Sequence, residues 1–144
     1  MKDFVELQII SAIRELLTVK VNKIIEKWDF FLPLVEIGKY SGSNVVNPII
    51  FLSSCEQTEK ERIIKIDSYS LTITFTVPET PDCELYCYGY SNAFDKALSL
   101  DKTLGGIVQC ATITGTKYIP PKKPNCGMFW VMVISLRIVI EGMK

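Results

Sequence analysis

The sequence predicts an α+β domain in which an N-terminal helix and one central helix are packed on a mostly antiparallel, mixed β-sheet. Three observations carry that prediction. Apolar residues recur at spacings of three or four from Leu7 to Trp28. A strict apolar/hydroxyl alternation runs from Tyr69 to Val77, the period of a half-buried strand. A second helical stretch, opened by Thr80-Pro81-Asp82 and followed by Gly105-Gly106, leads into two apolar segments with strand character.

In chain order, Leu7, Ile10, Ile13, Leu17, Val21, Ile24 and Trp28 form the apolar stripe of the first helix, with Glu6, Arg14, Glu15, Lys20, Lys23 and Lys27 between them. Thr18, Val19 and Val21 lose rotamer freedom in a helix, so a break into two pieces is expected there. After Pro33, Leu34–Ile37 predicts a short strand and Gly38–Asn44 a Gly/Ser/Asn loop. Pro48–Leu52 predicts another strand, and the polar run from Ser53 to Arg62 predicts a solvated turn.

In the alternating segment Tyr69, Leu71, Ile73, Phe75 and Val77 face the core, and Ser70, Thr72, Thr74 and Thr76 form a hydroxyl-rich face. Ile64 and Ile66 have the opposite parity, which predicts a bulge or bend near Asp67-Ser68. The central helix opens with Thr80 as cap and Pro81 at the first helical position, with Asp82 and Glu84 at its positive end. It is expected to bury Tyr86, Tyr90, Ala93, Ala97 and Leu100. Lys102 complements its negative end, and Thr103-Leu104-Gly105-Gly106 stops it, with Gly105 or Gly106 left-handed. Strands follow at about Ile107–Tyr118 and Met128–Ile140, joined by a Pro-rich segment. Every even position of the last strand is apolar, and Phe129, Val131 and Val133 are apolar on the other parity. Its first half is therefore expected to be covered on both faces, the second by a partner.

The 144 residues suit one domain, residues 1–144, with 48% hydrophobic and 22% charged residues. Lys+Arg and Asp+Glu balance at 16 each, which removes any global field for nucleic acid or an anionic membrane. The amphipathic N-terminus lacks the pattern of a secretory signal, which predicts residence in the cytoplasm. The longest apolar stretch, Met128 to Ile140, falls short of the roughly 20 residues of a spanning helix.

The chain has no histidine, so the commonest general base and the usual partner of a Ser or Cys nucleophile are missing. No catalytic residue and no cofactor or metal site is predicted. Of the five cysteines, Cys83 and Cys87 lie one helical turn apart, but no Cys-x-x-Cys pair exists, and buried structural thiols are expected. Gly105-Gly106 follows a helix and precedes a strand, the reverse of a phosphate loop, so it reads as structural punctuation. Tyr86, Tyr88 and Tyr90 cannot share one helix face, which marks Tyr88 as an interface anchor. Lys117, Tyr118, Lys122 and Lys123 read as a small basic, aromatic loop. With Gly38, Lys39, Tyr40, Ser41, Gly42 and Tyr88 they complete the candidate interface.

From Ala93 to Gly106 the chain reads Ala-Phe-Asp-Lys-Ala-Leu-Ser-Leu-Asp-Lys-Thr-Leu-Gly-Gly, followed by Ile107-Val108-Gln109-Cys110-Ala111. This resembles bacteriophage tail terminator and tail-completion (head-tail joining) proteins, in which a helix ending in a Thr-Leu-Gly-Gly-like turn precedes two C-terminal strands. Leu32-Pro33-Leu34-Val35-Glu36-Ile37-Gly38 resembles their first strand. The resemblance implies a non-enzymatic virion subunit of a phage or prophage, made in the bacterial cytoplasm. It further implies a homo-oligomeric ring, commonly hexameric, whose partners are the tail tube and head-connector proteins. A small-ligand-binding or regulatory α+β domain, with its pocket between helix and sheet, is the alternative.

Overall fold

The computed structural model describes residues 4–29, 32–37, 45–59, 64–78, 82–121 and 129–143. Helices α1 (Val5–Glu15) and α2 (Asn22–Lys27) are joined by a π-helical segment (Leu16–Val21), and β1 (Leu34–Val35) and β2 (Val45–Val46) follow. Then come β3 (Ile49–Glu59), β4 (Ile64–Pro78), α3 (Cys83–Ser99), β5 (Cys110–Ile119) and β6 (Phe129–Met143). β1 and β2 form a small parallel pair, while β3-β4-β6-β5 make a four-stranded antiparallel sheet. The described helices lie on one face of that sheet, so the domain is α+β.

The N-terminal helix does not break at Thr18-Val19; it changes its winding. Ile9, Ile13, Leu17, Val21 and Ile25 are all fully buried, a spacing of four throughout. On a continuous α-helix each such step drifts about 40° around the axis, which would carry Ile25 away from the face of Ile9. The wider i→i+5 turn of the π segment winds the stripe back. The Thr18 hydroxyl donates to the Arg14 carbonyl at 2.8 Å, satisfying one carbonyl in the region where the α pattern is lost. The predicted stripe was out of phase at one end: Leu7 is exposed, and Ile9 holds the core position. Asp29, at φ 56°, ends the helix in the left-handed conformation that short polar residues tolerate.

Asn22 ties this helix to β1. Its side-chain oxygen accepts from the Val35 amide at 2.8 Å, and its Nδ2 donates to the Val35 carbonyl at 2.9 Å and to the Thr18 carbonyl at 2.8 Å. The side chain thus mimics a neighbouring strand and leaves neither group of Val35 unpaired.

β4 and β6 pair without interruption from Ile64↔Met143 to Pro78↔Phe129, so the expected bend at Asp67-Ser68 does not exist. Ile64 and Ile66 instead lie on the outer face, because Lys65 and Asp67 take the inner parity where the helical layer has run out. Tyr69 is the last buried residue at that end, its hydroxyl donating to the Glu6 carboxylate at 3.1 Å. Lys65 and Asp67 pair with each other at 3.6 Å. The same overhang explains the second difference: Ser53–Glu59 is strand, not turn. Both faces of that half of β3 meet water, so no apolar alternation marks it.

α3 buries Cys83, Cys87, Tyr90, Ala93, Phe94, Ala97 and Leu98 against the sheet. The rings of Phe75 and Tyr90 stack with centroids 5.2 Å apart, and the Tyr90 hydroxyl donates to the Pro33 carbonyl at 2.6 Å. Leu100 is 82% exposed rather than buried, because the helix ends at Ser99, before Thr103-Leu104-Gly105-Gly106. The cap residue is Asp82; Thr80 and Pro81 lie outside the described residues. At Gly89 the helix approaches the Pro33 segment so closely that a Cβ would stand 2.8 Å from the nearer terminal methyl of Leu32.

The turn after α3 is a compact unit of its own. Leu104, Gly105 and Gly106 hold φ values of 51°, 73° and 88°. The Gly105 amide donates to the Asp101 carboxylate at 2.9 Å, and the Gly106 and Val108 amides both reach the Thr103 carbonyl at 3.1 Å. Leu104 accepts its left-handed backbone because its side chain plugs the core, only 3% exposed. β5 accordingly begins at Cys110, not Ile107.

Candidate interaction surface

The alternation of β4 and β6 that fills the core also sets the chemistry of the opposite face. Outward from β4 point Ser68, Ser70, Thr72, Thr74 and Thr76; outward from β6 point Val131, Val133, Ser135, Arg137 and Val139, as the register fixes. The flanking strands add Ile49 and Phe51 from β3 and Lys117 and Ile119 from β5. Among the described residues no helix or strand covers this face.

The face is divided in two by a pair of bulges. Ser53 is the extra residue in β3 and Thr114 the extra residue in β5; they lie level with each other, opposite Ser70/Leu71 and Ser135/Leu136 of the central strands. Each hydroxyl donates to the neighbouring central strand, Ser53 to the Ser70 carbonyl at 3.0 Å and Thr114 to the Ser135 carbonyl at 3.2 Å. At one end of the sheet Ile49 and Phe51 of β3, 66% and 61% exposed, form one apolar strip and Val131, Val133 and Ile119 of β6 and β5 another, with Thr72, Thr74 and Thr76 of β4 running between them. At the bulges the surface dips into a polar trough of about 480 Å³ lined by Glu56, Ser68, Ser70, Ser135 and Arg137. The Arg137 Nε donates to the Ser68 hydroxyl at 3.0 Å.

Of the candidate interface residues, the structure brings Tyr88 and Tyr118 together: their rings meet edge to face with centroids 5.2 Å apart. The Tyr88 hydroxyl donates to Glu84 at 2.7 Å, a bond that raises its pKa. Lys117 and Tyr118 are successive residues of β5, not a loop, so Tyr118 turns to the helical side and Lys117 to the open face. Gly38, Lys39, Tyr40, Ser41, Gly42, Lys122 and Lys123 lie outside the described residues. Exposed Ile49, Phe51 and Ile119 carry no pattern that separates them from core residues in the sequence. The two-parity apolar run of Phe129, Val131 and Val133 was the available signal.

A second depression, of about 290 Å³, lies between the π segment and the turn, with Ala12, Leu16, Leu104 and Ile107 in its wall. Across it Lys20 pairs with Asp101 at 2.7 Å. This bond and the one from the Gly105 amide hold the Asp101 carboxyl below the ordinary carboxylate range. The thiol of Cys87 sits fully buried beneath α3, and burial pushes it up to about 11, far from the thiolate that nucleophilic chemistry needs. Among the described residues no three His, Cys, Asp or Glu side chains stand together as a metal site. No described helix is long and apolar enough to cross a membrane.

The chain matches no protein-family model and no curated protein.

Proposed function

We propose that this chain is a structural assembly subunit that works in a homo-oligomeric ring, as the resemblance to phage tail terminators implies. In that role it caps a tail tube and offers its other side to the head connector, and it performs no catalysis. The observation that carries this reading is the open sheet face, whose apolar end exposes Ile49 and Phe51 by more than half. Large apolar side chains clustered on one uncovered face favour a protein partner. The turn from Thr103 to Gly106, which resembles the family in residue detail, supports the reading only as a structural element of the same kind.

Light scattering on the purified chain tests it. The reading predicts one discrete species larger than a dimer whose mass does not change with dilution over the micromolar range. A monomer at every concentration contradicts it. The polar trough favours a second reading, a domain that binds a small polar ligand, since its volume falls within the usual range of ligand sites. That reading predicts a monomer whose melting temperature rises with ligand.

A further inference from the structure

We propose that the polar trough at the two bulges binds a neutral carbohydrate. This rests on the ligand-binding reading of the trough, and it leaves the apolar end of the face free for a contact between copies. The shape of the trough, its unpaired charges and its hydroxyls carry it.

The floor is made of small side chains held in place. Ser68 and Ser70 of β4 and Ser135 of β6 lie along it. Beside Ser135 on β5 stands Gly115, where a Cβ would meet nothing within 4 Å. At either flank the bulge residues Ser53 and Thr114 donate their hydroxyls to the Ser70 and Ser135 carbonyls, which ties the edge strands to the central pair. Two longer side chains rise from this floor, Glu56 from β3 and Arg137 from β6. β3 and β6 flank β4, so the backbones of these two residues stand about 10 Å apart across the serines, two strand spacings.

Arg137 and Glu56 line the same trough without pairing. The Arg137 Nε is bonded to the Ser68 hydroxyl at 3.0 Å, which orients the guanidinium. Among the described residues its terminal nitrogens have no partner, and the Glu56 carboxylate has neither a hydrogen bond nor an ion pair. The hydroxyls of Ser70, Thr72 and Ser135, which also line the trough, make no hydrogen bond to a described residue.

These groups select the ligand by its charge and its hydrogen bonding. A simple anion gains from Arg137 and loses to Glu56, and a simple cation the reverse. A small zwitterion uses both charges but leaves the three free hydroxyls unmatched, and exposed charge pairs contribute little. A sugar carries no net charge, and each of its hydroxyls both donates and accepts. It therefore matches a guanidinium that only donates, a carboxylate that only accepts, and serine and threonine hydroxyls that do either. The volume of about 480 Å³ falls in the range of small-molecule sites.

Ligand-observed saturation-transfer NMR tests the assignment, since it reads weak binding whether or not the chain assembles. Four probes are compared: maltose and cellobiose as neutral disaccharides, methylphosphonate as an anion and alanine as a zwitterion. At least one disaccharide should show transfer with the wild-type chain. That signal should fall several-fold in Glu56→Ala and in Arg137→Ala and stay unchanged in Lys117→Ala, which alters the same face outside the trough. Glu56 and Arg137 are exposed, and unchanged melting curves establish that their variants fold. Transfer to methylphosphonate or alanine alone, lost in the same two variants, overturns the carbohydrate and keeps the trough as a ligand site. No transfer to any probe, or transfer that both trough variants leave intact, overturns the ligand reading of the trough as well.

Discussion

Gly105, Gly106 and Gly115 form a natural experiment on backbone conformation. At all three, a Cβ would meet nothing within 4 Å, so steric crowding contributes nothing. Gly105 and Gly106 hold φ values of +73° and +88°, while Gly115, in strand β5, has no left-handed φ. An L-residue in the left-handed region is disfavoured by roughly 1–2 kcal/mol relative to glycine. Against this, replacing glycine removes freedom from the unfolded chain and returns about 0.4–1 kcal/mol. Gly105→Ala and Gly106→Ala should therefore each lower stability by about 1 kcal/mol, a fall of roughly 3 °C in melting temperature for a chain of this size. Gly106→Val should lower it further, because a β-branched side chain is less tolerant of positive φ. Gly115→Ala, lacking the strain, should leave stability unchanged or raise it slightly. Urea unfolding followed by circular dichroism measures all four. If the Ala variants at 105 and 106 melt like wild type, or if Gly115→Ala loses as much as they do, the turn does not depend on left-handed glycine and the reasoning fails.

Asp101→Ala should lower stability by about 1 kcal/mol, part from the screened pair with Lys20 and part from the Gly105 amide. Because the Asp101 pKa is depressed in the folded state, its contribution is present above the ordinary value of 3.8 and is lost as pH falls through the folded value. Urea titrations of wild type and Asp101→Asn should thus differ at neutral pH and converge in acid. Tyr90→Phe should lower stability by roughly 1–2 kcal/mol, since it leaves the Pro33 carbonyl without its 2.6 Å partner while keeping the stack on Phe75; an unchanged unfolding midpoint would refute that role. Leu98→Ala should lower stability by roughly 2–5 kcal/mol, whereas Leu100→Ala, two residues on, should stay within about 0.5 kcal/mol. Equal effects would place the end of α3 differently.

Where one face of an element is buried and the other wet, the sequence announces it: Tyr69–Val77 alternates, and its inner residues are the buried ones. Gly105-Gly106 likewise reveals a left-handed turn, because few other residues accept that backbone. The winding change at Leu16–Val21 is hidden, since a stripe of period four reads as a slightly irregular α-helix, and Leu7 is then assigned to the wrong face. Ser53–Glu59 is hidden for the opposite reason: a strand with both sides in water has no pattern to show. The open face is legible in the hydroxyl parity of Ser70–Thr76, and its apolar part in Val131 and Val133, which are apolar on the parity that the core does not use. The exposure of Ile49 and Phe51 is hidden because a short apolar run looks the same whether one side or both are covered.

The proposed contact between copies is the sheet's open face. Native mass spectrometry of the wild-type chain beside Phe51→Lys tests this directly, because Phe51 is 61% exposed and its replacement spares the core. The predicted result is a closed ring of one stoichiometry for wild type and, for the variant, a monomer that keeps the wild-type circular dichroism spectrum and melts lower only by the stabilisation that assembly supplies. A monomeric wild type, or a variant that assembles as the wild type does, would contradict it.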